Sequence, residues 1–177
     1  MSLANKRMAI LVDNYFEQAE FEEPLQFLKA NGADVSVVSS SGLNLKAMQH
    51  AEPSEEFRAD TILDKVNIED FDALLLPGGA INADNLRMVP KAREWVSDFL
   101  GQGKLVAAIC HAPWLLVSAD EVEGRRLTSW PTLQDDIRNA GGEWIDQSVV
   151  VDNNLITSRK PDDIGDFTGA IKKWFKD

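Results

Sequence analysis

Four apolar runs punctuate this chain: 8-MAILV-12, 35-VSVVS-39, 73-ALLLP-77 and 105-LVAAI-109. Each is strand-sized, and most are rich in Val, Ile or Leu without the polar alternation of a half-solvated strand. That is the pattern of a parallel sheet covered on both faces. Parallel strands need long crossovers, and helical periodicity fills the gaps. In 17-EQAEFEEPLQFLKANG-32, Phe21, Leu25 and Leu28 recur at helical spacing and Gly32 supplies a stop. A second helix is predicted over residues 89–100, with Ala92, Val96 and Phe99 on one face. Strands alternating with helices, without repeat, low-complexity tract or linker, predict one doubly wound α/β domain over residues 1–177.

Two further segments refine this outline. The stretch 42-GLNLKAMQHAEPSEEFRAD-60 is less regular and reads as a small hairpin or excursion. In 148-SVVVDNNLITS-158, two β-rich runs flank Asn153-Asn154, residues that tolerate the positive φ of a tight turn. The last helix is predicted to open at 161-PDD-163, with Ile164, Phe167, Ile171 and Trp174 on its apolar face.

In open parallel sheets, functional groups gather outside the carboxyl ends of the strands. There the sequence places 13-DNYFEQAE-20, 77-PGGA-80 and 110-CHAP-113, which offer carboxylates, a glycine pair with accessible N–H groups, and a thiol. Taken singly, each has a plain structural explanation. A lone cysteine at a strand end is an inert core residue, a Gly-Gly pair is a turn, and two glutamates are a solvated helix start. The surroundings of Cys110 favour chemistry. A nucleophile elbow needs small residues two before and two after the nucleophile, and here they are Ala108 and Ala112. A helix beginning near Pro113 would aim its positive end at the sulfur.

Charge and counting exclude several alternatives. A net charge of −11 opposes binding to nucleic acid or anionic membrane, and no apolar run could span a bilayer. One cysteine, with no signal-peptide pattern at the start, predicts a reducing, cytoplasmic location. Papain-like enzymes and glutamine amidotransferases need a histidine well downstream of the cysteine, but the only histidine besides His111 is His50, upstream and read as an exposed loop residue. There is no C-x-x-C or H-E-x-x-H, so neither thioredoxin chemistry nor a metal is predicted. The acidic loop after the first strand does not suit a flavin phosphate. No cofactor is expected.

The segments 16-FEQAE-20, 74-LLLPGGA-80 and 110-CHAPWLLVSADEVEGRRLTSWP-131, with the later D-D-I-x-N-A-G and V-V-V-D, resemble the PfpI family of intracellular cysteine peptidase-like proteins. That family shares a superfamily with the parkinsonism-associated deglycase. The resemblance implies a flavodoxin-like three-layer sandwich with Cys110 as nucleophile on the elbow. It implies Glu20 as the carboxyl touching sulfur, with Glu17 the second choice. The oxyanion hole would be the N–H groups of Gly79 and His111, with Gly78 shaping the turn. In PfpI-like oligomers an acid from a neighbouring subunit orients the histidine; the nearest match is Asp84, aligned across a one-residue insertion. Ala112, Pro113 and Trp130 would border the pocket, Trp130 standing where many relatives carry a tyrosine. Ala112 replaces the family's usual glycine, which is silent if the position requires smallness rather than φ > 0.

A carboxylate beside a thiolate raises both pKa values unless the carboxyl stays protonated, so the expected state is a neutral Glu20 beside a Cys110 thiolate. The resemblance implies a stress-related hydrolase or lyase of reactive carbonyls or glycated adducts, of glyoxalase or deglycase type, with weak peptidase activity, working as a homo-oligomer on a small carbonyl, glycated or peptide substrate. The other reading is a redox-sensing or chaperone-like stress protein that uses Cys110 without turnover.

Overall fold

In the computed structural model, which describes residues 3–176, the predicted alternation of strands and helices is present. The chain runs through β1 (Arg7–Val12), β2 (Phe16–Glu17), α1 (Gln18–Ala30), β3 (Asp34–Ser39), β4 (Asn44–Gln49), β5 (Glu52–Arg58) and β6 (Thr61–Ile62). It continues through β7 (Ala73–Leu76), α2 (Ala80–Arg87), α3 (Pro90–Gly101), β8 (Leu105–Ile109), α4 (Pro113–Ser118) and β9 (Arg126–Leu127). It closes with α5 (Gln134–Asn139), β10 (Glu143–Trp144), β11 (Val149–Asp152), β12 (Leu155–Ser158) and α6 (Ile164–Trp174).

Among the described residues, seven strands form the main sheet in the order β11-β12-β8-β7-β1-β3-β6. All pair in parallel except the edge strand β11, which is antiparallel to β12 across the turn at Asn153, φ 55°. The central strands β1, β7 and β8 are apolar along nearly their whole length because successive side chains enter different cores. Met8, Ile10 and Val12 pack with Phe21 and Leu28 of α1 and Phe167 and Ile171 of α6. Ala9 and Leu11 pack with Leu86 of α2, Phe99 of α3 and Leu115 of α4. Fully burying one such aliphatic side chain stabilises by roughly 1.5–3 kcal/mol, so both faces hold the strands in register. The result is the three-layer, flavodoxin-like α/β sandwich expected from the sequence.

The chain steps from β1 outward to β3 and then crosses to β7 on the other side of β1. Their carboxyl ends therefore diverge around a crevice, where ligands bind in open α/β sheets. The irregular 42–60 segment is the antiparallel hairpin β4–β5, joined by β2 into a second, three-stranded sheet. Phe57 of that hairpin packs against Phe16 and Phe21, with ring centroids 5.8 and 5.2 Å away, which fixes the hairpin over the start of α1.

The sequence reading differs from the structure at α6, at α2 and at α5, the last of which it does not anticipate. The residues 161–163 form a 3-10 turn, and α6 proper starts at Ile164. Helix α2 is not anticipated, because its buried face carries Asn82 beside Ala83 and Leu86 and so lacks an apolar stripe. No helix among the described residues is long and apolar enough to cross a membrane.

Candidate active site

Cys110 directly follows β8 with φ 63°, a left-handed conformation that costs an L-residue roughly 1–2 kcal/mol. Backbone bonds on both sides hold it there: its N–H donates to Ser158 O at 3.0 Å and its carbonyl accepts the Trp130 N–H at 2.8 Å. The chain then turns at once into α4, with Pro113 in its first turn. Ala108 and Ala112 are buried at the flanks of this turn, as the elbow spacing requires. Ala112 has φ −56°, so the position calls for a small side chain and not for a glycine backbone. Helix α4 has only six residues, and the backbone N–H groups that reach the sulfur are those of Gly79 and His111.

Glu20 projects from the first turn of α1 and is fully buried beside the sulfur. Gly78 is what admits it: a Cβ there would collide with Glu20 Oε2 and stand 2.6 Å from Cys110 Cβ. Neither oxygen of Glu20 has a hydrogen-bond partner of ordinary geometry, although Cys110 and the Gly78 N–H lie near enough to pull its pKa down. Burial outweighs them and, with the Glu17 charge adding, pushes Glu20 up to about 8. The carboxyl is therefore neutral at pH 7, as expected.

The standing thiolate expected from the sequence is opposed by the structure. Burial pushes the Cys110 thiol up, and a charge on Glu20 would push it further. Sulfur must then lose its proton within the site. His111 Nδ1 lies 3.2 Å from Sγ, and burial lowers the pKa of this ring, so it is a neutral imidazole able to accept that proton. Two tryptophans hold the ring: Trp130 stacks on it at 5.7 Å and 21°, and Trp114 meets it edge-on at 5.4 Å.

These groups lie at the base of a cavity of about 480 Å³ whose wall includes Glu17, Glu20, Gly79, Cys110, His111 and Trp130. Glu17 serves the wall, not the sulfur: its carboxylate accepts the His50 N–H at 3.0 and 3.2 Å and so holds the tip of the β4–β5 hairpin. Ala112 and Pro113, expected at the pocket, are buried and do not line it, because the chain dives into α4 behind the cysteine. Asp84 is exposed on α2 and lies outside the cavity wall. The sequence reading misses Tyr15, Met48, Ile81 and His50 as lining residues. His50 is exposed as expected, but the hairpin carries it to the cavity rim. Among the described residues no group of three His, Cys, Asp or Glu side chains is arranged to hold a metal ion.

The Glu20 proton gives a test that does not depend on activity. Its folded pKa, about 8, exceeds its ordinary value of 4.5, so the folded state holds the extra proton between those limits. Its stabilising contribution is fully present below about 4.5 and is lost as pH rises through about 8. Thermal melts of wild type should fall over that range relative to Glu20→Gln, which has no proton to lose. Parallel melting curves for the two proteins would show that Glu20 is ionised at pH 7.

The sequence and the fold are similar to those of known proteins. Residues 6–173 match the DJ-1/PfpI family. The chain is 40% identical to protein/nucleic acid deglycase 2 of Escherichia coli, covering 92% of this chain and 94% of that protein. It is 38% identical to general stress protein 18 of Bacillus subtilis, over 92% of this chain and 93% of that one. Among solved structures, DJ-1beta of Drosophila melanogaster superposes with a TM-score of 0.87 at 29% identity, over 97% of this chain and 89% of that one.

Proposed function

This chain belongs to the DJ-1/PfpI family, and from that premise we propose that it is a cysteine-dependent enzyme acting on small reactive carbonyls and on the adducts they form with proteins. Deglycase-named homologues at about this distance support an enzyme of that kind. The observation that carries the reading is Cys110 at the base of a 480 Å³ cavity, with a neutral imidazole 3.2 Å from its sulfur.

A 2-oxoaldehyde such as methylglyoxal places its aldehyde carbon against Sγ. As the S–C bond forms, the thiol proton passes to His111 Nδ1 and on to the aldehyde oxygen, giving a hemithioacetal. The N–H groups of Gly79 and His111 hold the oxygen while it carries charge. The proton on the sulfur-bearing carbon then moves to the neighbouring carbonyl carbon through an enediol. This internal oxidation–reduction needs no outside oxidant and leaves a lactoyl thioester. Water hydrolyses the thioester to lactate and restores the thiol. From an aminocarbinol adduct the same hemithioacetal arises when the C–N bond breaks: the neutral Glu20 carboxyl supplies a proton as the amine leaves and regains the thiol proton from His111.

The purified protein should convert methylglyoxal to lactate above the buffer rate. Preformed adducts of N-acetylarginine or N-acetyllysine separate the two substrate classes. Adduct loss faster than spontaneous release of methylglyoxal establishes direct deglycation, whereas loss limited to the release rate assigns the activity to the free carbonyl. No lactate from either, with Cys110 intact by mass, contradicts the enzymatic reading and favours a redox-sensing thiol. Asp84, exposed on α2, would orient His111 only from a second copy of the chain. In a homo-oligomeric enzyme Asp84→Asn should lower turnover about tenfold, and a fully active monomer by size-exclusion chromatography would remove that role.

A further inference from the structure

We propose that Asn82 is a positioning residue: it fixes the Gly78–Gly79 peptide plane so that the Gly79 N–H faces the Cys110 sulfur. Asn82 is fully buried in the first turn of α2, where its neighbours Ala83 and Leu86 are apolar. Its Nδ2 donates to the carbonyls of Pro77 and Gly78, both at 3.0 Å, and its Oδ1 accepts the Asp13 N–H at 2.7 Å. Two carbonyl acceptors and one N–H donor determine which way the amide points and use both hydrogens of its NH2 group.

In a trans peptide unit the carbonyl and the N–H point in opposite directions. The Gly78 oxygen is held by Asn82 Nδ2 and, at 3.3 Å, by the Glu17 N–H. Holding that oxygen aims the Gly79 N–H of the same plane the other way, near enough to the Cys110 sulfur to pull its pKa down. A device of this kind is needed because the turn cannot be stiffened by a side chain. Gly79 has φ 92°, and a Cβ there would stand 2.7 Å from Glu17 N and 2.8 Å from Tyr15 O. Glycine leaves the plane free to rotate, and Asn82 removes that freedom. The same residue ties the end of β1 at Asp13 to α2, whose Asn85 Nδ2 also donates to the Asp13 carboxylate at 3.2 Å. The two sides of the crevice are thereby joined beneath the turn.

The inference rests on the proposed site in taking Gly79 as the donor to sulfur and oxyanion, so its test includes a reading independent of turnover. Cys110 is the only cysteine in the chain, so the rate of its alkylation by iodoacetamide at one fixed pH can be followed by intact mass. Asn82→Ala is compared with Leu86→Ala, which opens a cavity on the same helix without touching the turn. Asn82→Ala should slow alkylation about tenfold and lower kcat with methylglyoxal roughly 10–100-fold, with KM little changed. Leu86→Ala should lose stability and move neither reading. Where Asn82→Ala is too unstable to purify, Asn82→Ser, which keeps one donor, should slow alkylation by less. An unchanged alkylation rate in the Asn82 variant studied, or an equal change in Leu86→Ala, overturns the proposal. Loss of all carbonyl turnover in wild type would contradict the proposed function and leave the alkylation reading standing.

Discussion

Cys110→Ser is expected to lower turnover of methylglyoxal by on the order of 10³-fold or more while leaving the fold intact. The hydroxyl nearly replaces the thiol in volume, and the backbone bonds from Cys110 to Ser158 and Trp130 do not involve the side chain. What changes is acidity. A hydroxyl is far less acidic than a thiol, and the burial that already pushes Cys110 up applies equally to an alkoxide. A neutral imidazole at 3.2 Å can draw a proton from sulfur as it attacks, but is too weak a base to do the same for serine without help. The check is a rate comparison at matched thermal midpoint. A serine variant retaining a tenth or more of wild-type turnover would show that Cys110 does not form the bond to carbon.

Gly78→Ala should be nearly as severe, for a steric reason. Gly78 does not have the left-handed φ of Gly79, so its backbone accepts alanine. The added methyl has nowhere to go: it would collide with Glu20 Oε2, stand 2.6 Å from Cys110 Cβ and 2.9 Å from Ile109 O. Relief requires Glu20 to swing away from the sulfur or Cys110 to leave the elbow. Overpacking of this kind costs roughly 1–3 kcal/mol, and displacing two reacting groups should cost about 100-fold or more in turnover. Gly42→Ala is the control, since nothing lies within 4 Å of its added Cβ. Turnover and denaturant midpoint measured on both variants separate the explanations. Equal, small effects at the two positions would mean that the contact between Gly78 and Glu20 is not tight.

Much of this arrangement is legible in the sequence because it follows from local rules. Strands β1, β7 and β8, with the valines of β3, stand out since they are buried on both faces, which favours apolar residues at successive positions. The elbow is legible from Ala108 and Ala112, because a strand turning at once into a helix leaves no room for larger side chains. Glu20 stands out beside Glu17 only through resemblance to the family's motif. Separating their roles takes the fold, which buries Glu20 against sulfur and turns Glu17 toward the His50 amide.

What the sequence conceals depends on long-range contacts. His50 reaches the cavity rim because Phe57 docks on Phe16 and Phe21, a packing that local pattern does not encode. Helix α2 is obscured by Asn82, a polar residue where helical spacing asks for an apolar one, and that irregularity is the only local signal of its role. The state of the thiol depends on burial and on a neighbour 90 positions away in the chain, so the expected thiolate gives way to a thiol that ionises in the act of attack.

The proposed reaction depends above all on a covalent bond between Cys110 and the carbonyl carbon during turnover. Rapid acid quench of the protein mixed with methylglyoxal, followed by intact mass and peptide mapping, tests it directly. A transient mass increase of one methylglyoxal equivalent, confined to the peptide that holds Cys110, is expected. It should decay as lactate appears and be absent from Cys110→Ser. Lactate formed with no adduct on that peptide, or formed equally fast by Cys110→Ser, would contradict it.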